Sequence, residues 1–191
     1  SGLGVEIEEH EHTVYDLMAE EAGLDECLVK NVQDNLDVLP SDMNLAGAEI
    51  EFQEIENKET LLKRYLDQVR DDYDFILIDC PPSLNILTIN ALTAADTVLV
   101  PIQCEYYALE GLNQVLKTVE LVRKKLNPQL ELEGVVFTMY DARTNLSLQV
   151  VESVKSNLNQ TIYKTIIPRN VRLAEAPSHG KSINLYDTRS T

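Results

Sequence analysis

One short segment constrains the fold more than any other: Phe75-Ile-Leu-Ile-Asp79, four apolar residues that run directly into a carboxylate. Pro81 and Pro82 follow after one residue and fix an extended exit from the segment. A strand that is apolar on both faces is typical of the middle of a parallel sheet, and such sheets bind ligands at the carboxyl ends of their strands. The segment therefore predicts a buried strand with Asp79 at a ligand-binding edge. An ordinary strand that happens to end in an acid is the alternative.

Helical and strand patterns alternate along the rest of the chain. Thr13 is a candidate N-cap for a short helix, and 36–40 has the pattern of a short strand stopped by a proline. Helical spacing of apolar residues covers 59–69, 84–92, 108–126 and 145–158, and short strand-like runs cover 97–101, 133–139 and 163–167. This alternation favours right-handed crossovers, so we predict an α/β fold with a mostly parallel, largely buried sheet and helices on both faces. With 191 residues and no low-complexity linker, a single domain over 1–191 is expected.

Charge is distributed unevenly along the chain. The net charge is −16, yet residues 1–60 hold 17 acidic side chains against two lysines, whereas residues 141–191 hold seven lysines and arginines against four acids. The C-terminal part can therefore present a small basic surface to a nucleic acid. No apolar run has the length of a membrane-spanning helix, no signal peptide opens the chain, and the three cysteines form no Cys-x-x-Cys motif. These features predict a cytoplasmic protein without disulfides.

The position of Asp79 fits a magnesium site. Mg²⁺ keeps several waters and usually accepts only one or two protein carboxylates beside phosphate oxygens. Asp79 lies where nucleotide hydrolases place the Walker B aspartate. A phosphate-binding G-x-x-x-x-G-K-[ST] loop should accompany it, but none of the seven glycines belongs to one. Residues 175–182 imitate the motif, but they begin with Glu175 and follow no strand directly, so we predict that they are not a phosphate loop.

Polar residues follow two of the later predicted strands, where a nucleotide base can bind. Asp141 falls where guanine-specific GTPases keep the last residue of Asn-Lys-x-Asp, but Thr138 and Met139 replace the asparagine and the lysine, so the identity of the base stays open. Ordinary solvated loops are the alternative. The candidate base-binding residues are Met139, Asp141, Pro168, Arg169 and Asn170.

Basic side chains near the same strand ends are candidates for DNA contacts. Arg143 and Arg172 follow the strand ends, and Lys164 is close in sequence. Each cation can neutralise one phosphate, which gives salt-sensitive affinity without sequence preference. Scattered surface cations are the alternative. His10 and His12 lie among acids, and a solvated acidic loop explains them more simply than a metal site.

Several long and unusual strings together resemble the ParA/Soj-type chromosome-partition ATPases, and the resemblance covers essentially the whole chain. The strings are Phe75-Ile-Leu-Ile-Asp-Cys-Pro-Pro-Ser83, Ile89-Asn-Ala-Leu-Thr-Ala-Ala-Asp96, Pro101-Ile-Gln-Cys-Glu-Tyr-Tyr-Ala-Leu-Glu-Gly-Leu112, Asp141-Ala-Arg-Thr-Asn145 and Ile167-Pro-Arg-Asn-Val-Arg-Leu-Ala-Glu-Ala-Pro-Ser-His-Gly-Lys181.

The resemblance implies a P-loop ATPase of the deviant Walker type, related to MinD. Its ATP-bound form is a homodimer that binds DNA non-specifically on the nucleoid, and a ParB-like partner stimulates hydrolysis. By this resemblance, Asp79 is the catalytic Walker B aspartate that holds Mg²⁺. Pro168 and Asn170 belong to the adenine-binding loop, and Arg143 and Arg172 match DNA-binding positions. The choice of ATP over GTP rests on the resemblance alone.

The resemblance also implies parts that these residues do not contain. In the family, the phosphate loop K-G-G-x-G-K-T and the switch I aspartate precede the region that begins at Ser1, and a closing helix follows the region that ends at Thr191. We therefore expect a chain without the first βα unit, truncated at the N-terminus and also at the C-terminus. Alone it should hydrolyse ATP no faster than buffer, because phosphoryl transfer depends on positioning and charge neutralisation by those parts. An exposed sheet edge should also favour self-association.

Two other hypotheses stay open. The chain can be a nucleotide-free module that binds DNA or a regulator, or a MinD-like membrane ATPase. The membrane hypothesis needs an amphipathic helix beyond Thr191, whereas Arg143 and Arg172 favour DNA. We therefore expect no membrane partner.

Overall fold

The computed structural model describes residues 2–81, 83, 85–158 and 160–190. The chain groups into two compact units, a terminal unit of Ser1–Lys58 with Asn170–Thr191 and a central unit of Glu59–Arg169. The single domain expected from the sequence stays a prediction. Pro82 and Leu84, from the predicted turn and helix start after Asp79, lie outside the described residues.

The described helices and strands follow the predicted alternation from Ile86 onward. The α-helices are α1 (Val14–Met18), α2 (Leu24–Cys27), α3 (Ala48–Glu51), α4 (Leu61–Val69), α5 (Ile86–Ala94), α6 (Ala108–Lys125), α7 (Asn145–Asn157), α8 (Val171–Glu175) and α9 (Ile183–Tyr186). The strands are β1 (Val29–Gln33), β2 (Leu36–Val38), β3 (Thr97–Gln103), β4 (Glu131–Tyr140) and β5 (Ile162–Pro168). Short 3-10 helices cover Ile7–Glu9, Met43–Gly47, Phe52–Glu54, Lys58–Thr60, Arg70–Asp72 and Ala176–His179.

The central unit is built on a parallel sheet in the order β3-β4-β5. One helix connects each pair of neighbouring strands, α6 between β3 and β4 and α7 between β4 and β5, because parallel strands need a crossover connection. Val100 lies opposite Val135, and Ile102 lies opposite Phe137. The predicted α/β class with a parallel sheet is therefore confirmed.

The core of the central unit lies between this sheet and its helices. Val100 and Ile102 are buried and pack in one cluster with Leu112 of α6 and Val154 of α7. On the alternate positions of β3 the side chains are exposed, and Leu99 shows 48% of its surface. The predicted strand at 97–101 is therefore correct in position, but it is not buried on both faces, because among the described residues only one face is covered.

A buried asparagine ties α5 to α4. Asn90 is fully buried, and its Oδ1 accepts the backbone N–H of Leu62 at 3.1 Å while its Nδ2 donates to the carbonyl of Ile86 at 3.0 Å. The first N–H groups of a helix have no partner within the helix, and Thr60 at the N-cap of α4 supplies no side-chain cap. Asn90 therefore acts as a cap donated by a neighbouring helix.

The terminal unit confirms the predicted cap at Thr13. Its hydroxyl accepts the N–H of Tyr15, and the carboxylate of Asp16 accepts the N–H of Thr13 at 2.7 Å, which completes a capping box at the start of α1. The predicted short strand at 36–40 is β2, which pairs antiparallel with β1. Leu17 and Phe52 are the large buried side chains of this unit.

Two expectations from composition can be compared with the structure directly. All three cysteines are free. Within the described ranges, no helix has both the length and the hydropathy needed to cross a membrane.

The segment before Asp79 does not form the predicted buried strand. Phe75 and Leu77 expose 84% and 92% of their surface, and no strand is assigned between residues 73 and 81. A strand needs a neighbour for its backbone N–H and C=O groups, and none of the described strands pairs with this segment. The prediction of a buried strand at this position is therefore wrong for the described residues, and the apolar side chains of Phe75 and Leu77 are exposed.

Candidate functional site

A long cleft in the central unit contains several of the predicted ligand-binding residues. It has a volume of about 2040 Å³ and is lined by the segment 73–81 and by the open face of β3. Asp79, Met139, Asp141 and Arg169 all line it. Typical ligand pockets measure about 300–1,000 Å³, so this cleft is an open groove that is larger than a small ligand needs.

The ends of β4 and β5 meet beside this cleft. Phe137 lies opposite Ile166, and Tyr140 lies opposite Pro168, so three steps along β4 match two along β5. The extra residue forms a β-bulge, and Met139 within it has a φ of 52°, a left-handed conformation that is uncommon outside glycine. The N–H of residue 169 then donates to the carbonyl of Tyr140 at 2.9 Å. The ends of β4 and β5 therefore lie beside each other.

The start of α7 fixes the backbone of Asp141. Its carbonyl accepts the N–H and the hydroxyl of Thr144, both at 3.1 Å, and its N–H donates to the hydroxyl of Ser147 at 3.3 Å. Thr144 is the N-cap of α7, and its hydroxyl in turn accepts the N–H of Ser147. The position of Asp141 is therefore set by a capped helix rather than by a free loop.

The side chain of Asp141 binds Arg143. Its Oδ1 accepts a hydrogen bond from Nε of the guanidinium at 2.8 Å, and its Oδ2 accepts one from Nη2 at 2.7 Å. Oδ1 also accepts a hydrogen bond from the backbone N–H of Arg143 at 3.0 Å. These hydrogen bonds hold the pKa of Asp141 well below its ordinary value, so the carboxylate is ionised at neutral pH. The Asp141 side chain is 19% exposed and that of Arg143 is 86% exposed. Both residues line the cleft, and Asp141 is the more deeply buried of the two.

Asp79 is an exposed carboxylate on the wall of the cleft. In the part of the chain that the structure describes, no three His, Cys, Asp or Glu side chains are grouped to hold a metal ion. A single carboxylate does not make a protein cage for Ca²⁺ or Zn²⁺, but it suffices for Mg²⁺, which takes its other ligands from water and phosphate. The chemistry of the site therefore fits magnesium with a phosphorylated ligand.

Comparisons with known proteins agree with this chemistry. The AAA domain family matches residues 1–132. The sporulation initiation inhibitor protein Soj of Bacillus subtilis is 57% identical over 190 residues, which cover 100% of this chain and 75% of Soj. The chromosome partitioning protein ParA of Caulobacter vibrioides is 48% identical and is matched over 99% of this chain and 72% of its own length. This chain belongs to the family of Soj/ParA chromosome-partition ATPases.

A solved structure agrees with the P-loop fold of this partition-ATPase family. Cobyrinic acid a,c-diamide synthase from Mycobacterium smegmatis, crystallised with an ATP analogue and magnesium, is 32% identical, with a TM-score of 0.81. The match covers 99% of this chain and 79% of that one. Both the predicted family and the predicted fold class are therefore confirmed.

Two residues highlighted by the partition-ATPase resemblance lie in the terminal unit. Asn170 is the N-cap of α8: its Oδ1 accepts the N–H of Arg172 at 2.8 Å, and its Nδ2 donates to the hydroxyl of Ser190 at 2.7 Å. The Arg172 guanidinium binds Glu175 at 3.0 Å and lies 3.8 Å from Asp187. The role of Asn170 in adenine binding and that of Arg172 in DNA binding stay predictions.

The segment 175–182 folds as the sequence indicates, and not as a phosphate loop. Glu175 ends α8, a 3-10 helix covers Ala176–His179, and Gly180 follows with a φ of 61°. The segment therefore runs from one helical turn into another, without the strand-to-helix passage that cradles phosphate.

Three residues at the cleft were missed by reasoning from the sequence. Glu105 lies 3.8 Å from the guanidinium of Arg169, and Tyr106 and Tyr107 pack edge to face with ring centroids 5.1 Å apart. All three line the cleft and lie within four residues after the end of β3. The rule that strand ends carry ligand-binding residues, applied to β3 as it was to β4 and β5, identifies them.

Proposed function

We propose that this chain serves an ATP-dependent switch in chromosome or plasmid partition, which binds DNA non-specifically as an ATP-bound homodimer and is stimulated by a ParB-like partner. The nucleotide-binding part of the proposal rests on one observation: Asp79 and residues at the ends of β4 and β5 line the same cleft. Magnesium, phosphate and base sites of a nucleotide lie together at the carboxyl ends of parallel strands in such folds. Family membership supports the partition role. The place of action is then the cytoplasm, at the nucleoid.

In this proposal Asp79 is the catalytic carboxylate that holds Mg²⁺, and the ion neutralises charge on the phosphates. The solved relative with an ATP analogue and magnesium supports this pair of ligands. The base lies toward the bulge and the residues after β5. The proposed base-binding residues are Met139, Asp141, Pro168, Arg169 and Asn170.

Titration with a fluorescent ATP analogue tests the nucleotide site in the full-length protein. We expect Asp79→Ala to abolish the magnesium-dependent part of binding, because the ion loses its protein ligand. Asp74→Ala is the matched control, since Asp74 is an exposed carboxylate of the same segment that also lines the cleft. Equal loss in both variants would overturn the assignment of Asp79. Absence of nucleotide binding in the wild type, with DNA binding intact, would favour the nucleotide-free module.

We further propose that residues 1–191 alone turn over ATP no faster than buffer, because they contain no glycine-rich phosphate loop. Phosphate release from the isolated 191-residue polypeptide measures this directly. Sustained turnover that Asp79→Ala abolishes would contradict the proposal.

The DNA-binding part of the proposal rests on Arg143, Arg172 and Lys164. Lys164 is exposed on β5, and Arg143 is exposed at the start of α7. We expect Arg143→Ala with Arg172→Ala to weaken ATP-dependent binding equally for unrelated DNA sequences. The slope of log affinity against log salt should fall in magnitude by about 2, one contact for each arginine. Unchanged affinity at low salt would reject both residues, and loss confined to one sequence would reject phosphate contacts.

A further inference from the structure

Arg143 is already occupied by a carboxylate of its own chain. Asp141 binds the Nε and Nη2 edge of the guanidinium with two parallel hydrogen bonds of 2.8 and 2.7 Å. This is the same bidentate geometry in which an arginine binds a phosphate. A DNA phosphate that approaches this edge of Arg143 therefore meets a competitor that is already in place.

The competitor is held more firmly than the arginine. Three backbone and hydroxyl hydrogen bonds from Thr144 and Ser147 fix the main chain of Asp141, and its side chain is only 19% exposed. The Arg143 side chain is 86% exposed and extends into solvent. When the pair opens, it is Arg143 that moves, and Asp141 stays at the edge of the cleft with its charge uncompensated.

The second candidate arginine, in the terminal unit, is also paired with acids of its own chain, although through one hydrogen bond rather than two. Arg172 donates through Nη1 to Glu175 at 3.0 Å, and its Nε lies 3.8 Å from Asp187. The two positions share no helix and no strand, and at each of them a carboxylate within three residues binds the arginine. These are the two arginines that the family resemblance associates with DNA.

We propose that Asp141 is a built-in competitor of DNA phosphate at Arg143, so that DNA must displace an internal carboxylate to engage this arginine. The inference rests on the proposed DNA-binding function and adds to it a residue that sets DNA affinity. Asp141 lowers affinity for every DNA sequence alike, because it competes for a phosphate-binding group and not for a base contact. Non-specific binding is then kept weak enough to be reversible.

The size of the effect follows from the exposure of the pair. Exposed ion pairs have small interaction free energies, because both partners are well solvated when they separate. The bidentate geometry makes this pair stronger than most exposed pairs. Removal of the Asp141 charge should therefore raise DNA affinity by about two- to five-fold.

The test measures binding of unrelated DNA duplexes by fluorescence anisotropy at low salt in the full-length protein. ATP is raised until it saturates each variant, because Asp141 is also a proposed base-binding residue. Asp141→Asn is the informative change, since the amide oxygen still accepts the backbone N–H of Arg143 and preserves the turn. We expect Asp141→Asn to bind about two- to five-fold more tightly and Arg143→Ala to bind more weakly. The double variant should match Arg143→Ala, because without the arginine there is nothing to release. Glu152→Gln, an exposed carboxylate on α7, is the control for net charge.

Each outcome separates this inference from the function on which it rests. If Arg143→Ala leaves binding unchanged, the assignment of Arg143 to the DNA surface fails. If Arg143→Ala weakens binding but Asp141→Asn does not strengthen it, or weakens it, Asp141 positions the arginine and competition is refuted. An equal gain in Glu152→Gln also refutes competition, since the effect is then one of net charge.

Discussion

The buried amide of Asn90 offers a sharp test of how the central unit is held together. Asn90→Ala removes the acceptor for the N–H of Leu62 and leaves that donor without this partner in the protein interior. An unsatisfied buried donor costs about 1–3 kcal/mol. The free energy of unfolding falls by about 2 kcal/mol for each molar increase in urea, so the urea concentration at the unfolding midpoint should fall by about 0.5–1.5 M.

Thr93→Val is the matched control on the same helix. Thr93 is also buried, at 1% exposure, but its hydroxyl donates at 2.7 Å to Ile89, a carbonyl of its own helix. That carbonyl keeps its helical N–H partner, and valine keeps the shape of threonine, so the cost should stay below about 1 kcal/mol. Urea unfolding followed by circular dichroism compares the two variants under one condition.

The reasoning predicts an order as well as a size. If Asn90→Ala lowers the midpoint no more than Thr93→Val does, the amide does not cap α4 and the account of the contact between α4 and α5 is refuted. Restoration by Asn90→Asp below the pKa of the new carboxyl, but not above it, would add support, because only the neutral side chain avoids the burial of a charge.

Further predictions concern the core, the cleft and the ion pair. Leu130→Ala should cost about 2–5 kcal/mol in the same urea assay, because Leu130 is fully buried, and a cost below 1 kcal/mol would contradict this. Phe75→Lys with Leu77→Lys should lower the average mass of the isolated polypeptide in sedimentation, since both side chains are exposed on an unpaired segment; an unchanged mass would show that association does not use it. Arg143→Ala should raise the pKa of Asp141, seen by carboxyl NMR. The pKa of Asp141 is lower in the folded protein than in the unfolded chain. The stabilisation by this pair is therefore complete above pH 3.8 and is lost as the pH falls through the folded-state pKa. Greater acid stability in Arg143→Ala than in the wild type would refute this sign.

Much of the fold could be predicted from local patterns. The periodicity of 108–126 and 145–158 located α6 and α7, and the short runs before them located β3 and β4, because packing on the sheet selects those patterns. The segment that ends in Asp79 was mispredicted for a physical reason. Its composition specifies a strand with neighbours on both sides, but pairing depends on residues distant in sequence, which the pattern of one segment does not contain.

The candidate site could be predicted only in part. The rule for strand ends located Asp141 and Arg169, but it could not show that Asp141 binds Arg143, because side-chain partners depend on the turn that α7 imposes. The roles of Asn170 and Arg172 came from resemblance. The structure adds that the first is a helix cap and the second is bound by acids of its own chain.

The bulge at Met139 makes this site sensitive to changes in chain length. Three steps of β4 match two of β5 between Phe137 and Tyr140. Deletion of Thr138 would leave a regular ladder in which Tyr140 still lies opposite Pro168, but it would remove the extra residue with which the chain turns at Met139 before Asp141. In an engineered or natural variant, loss of this one residue would therefore change the direction in which the chain leaves β4 and would displace Asp141 at the cleft, although every proposed base-binding residue would still be present in the sequence.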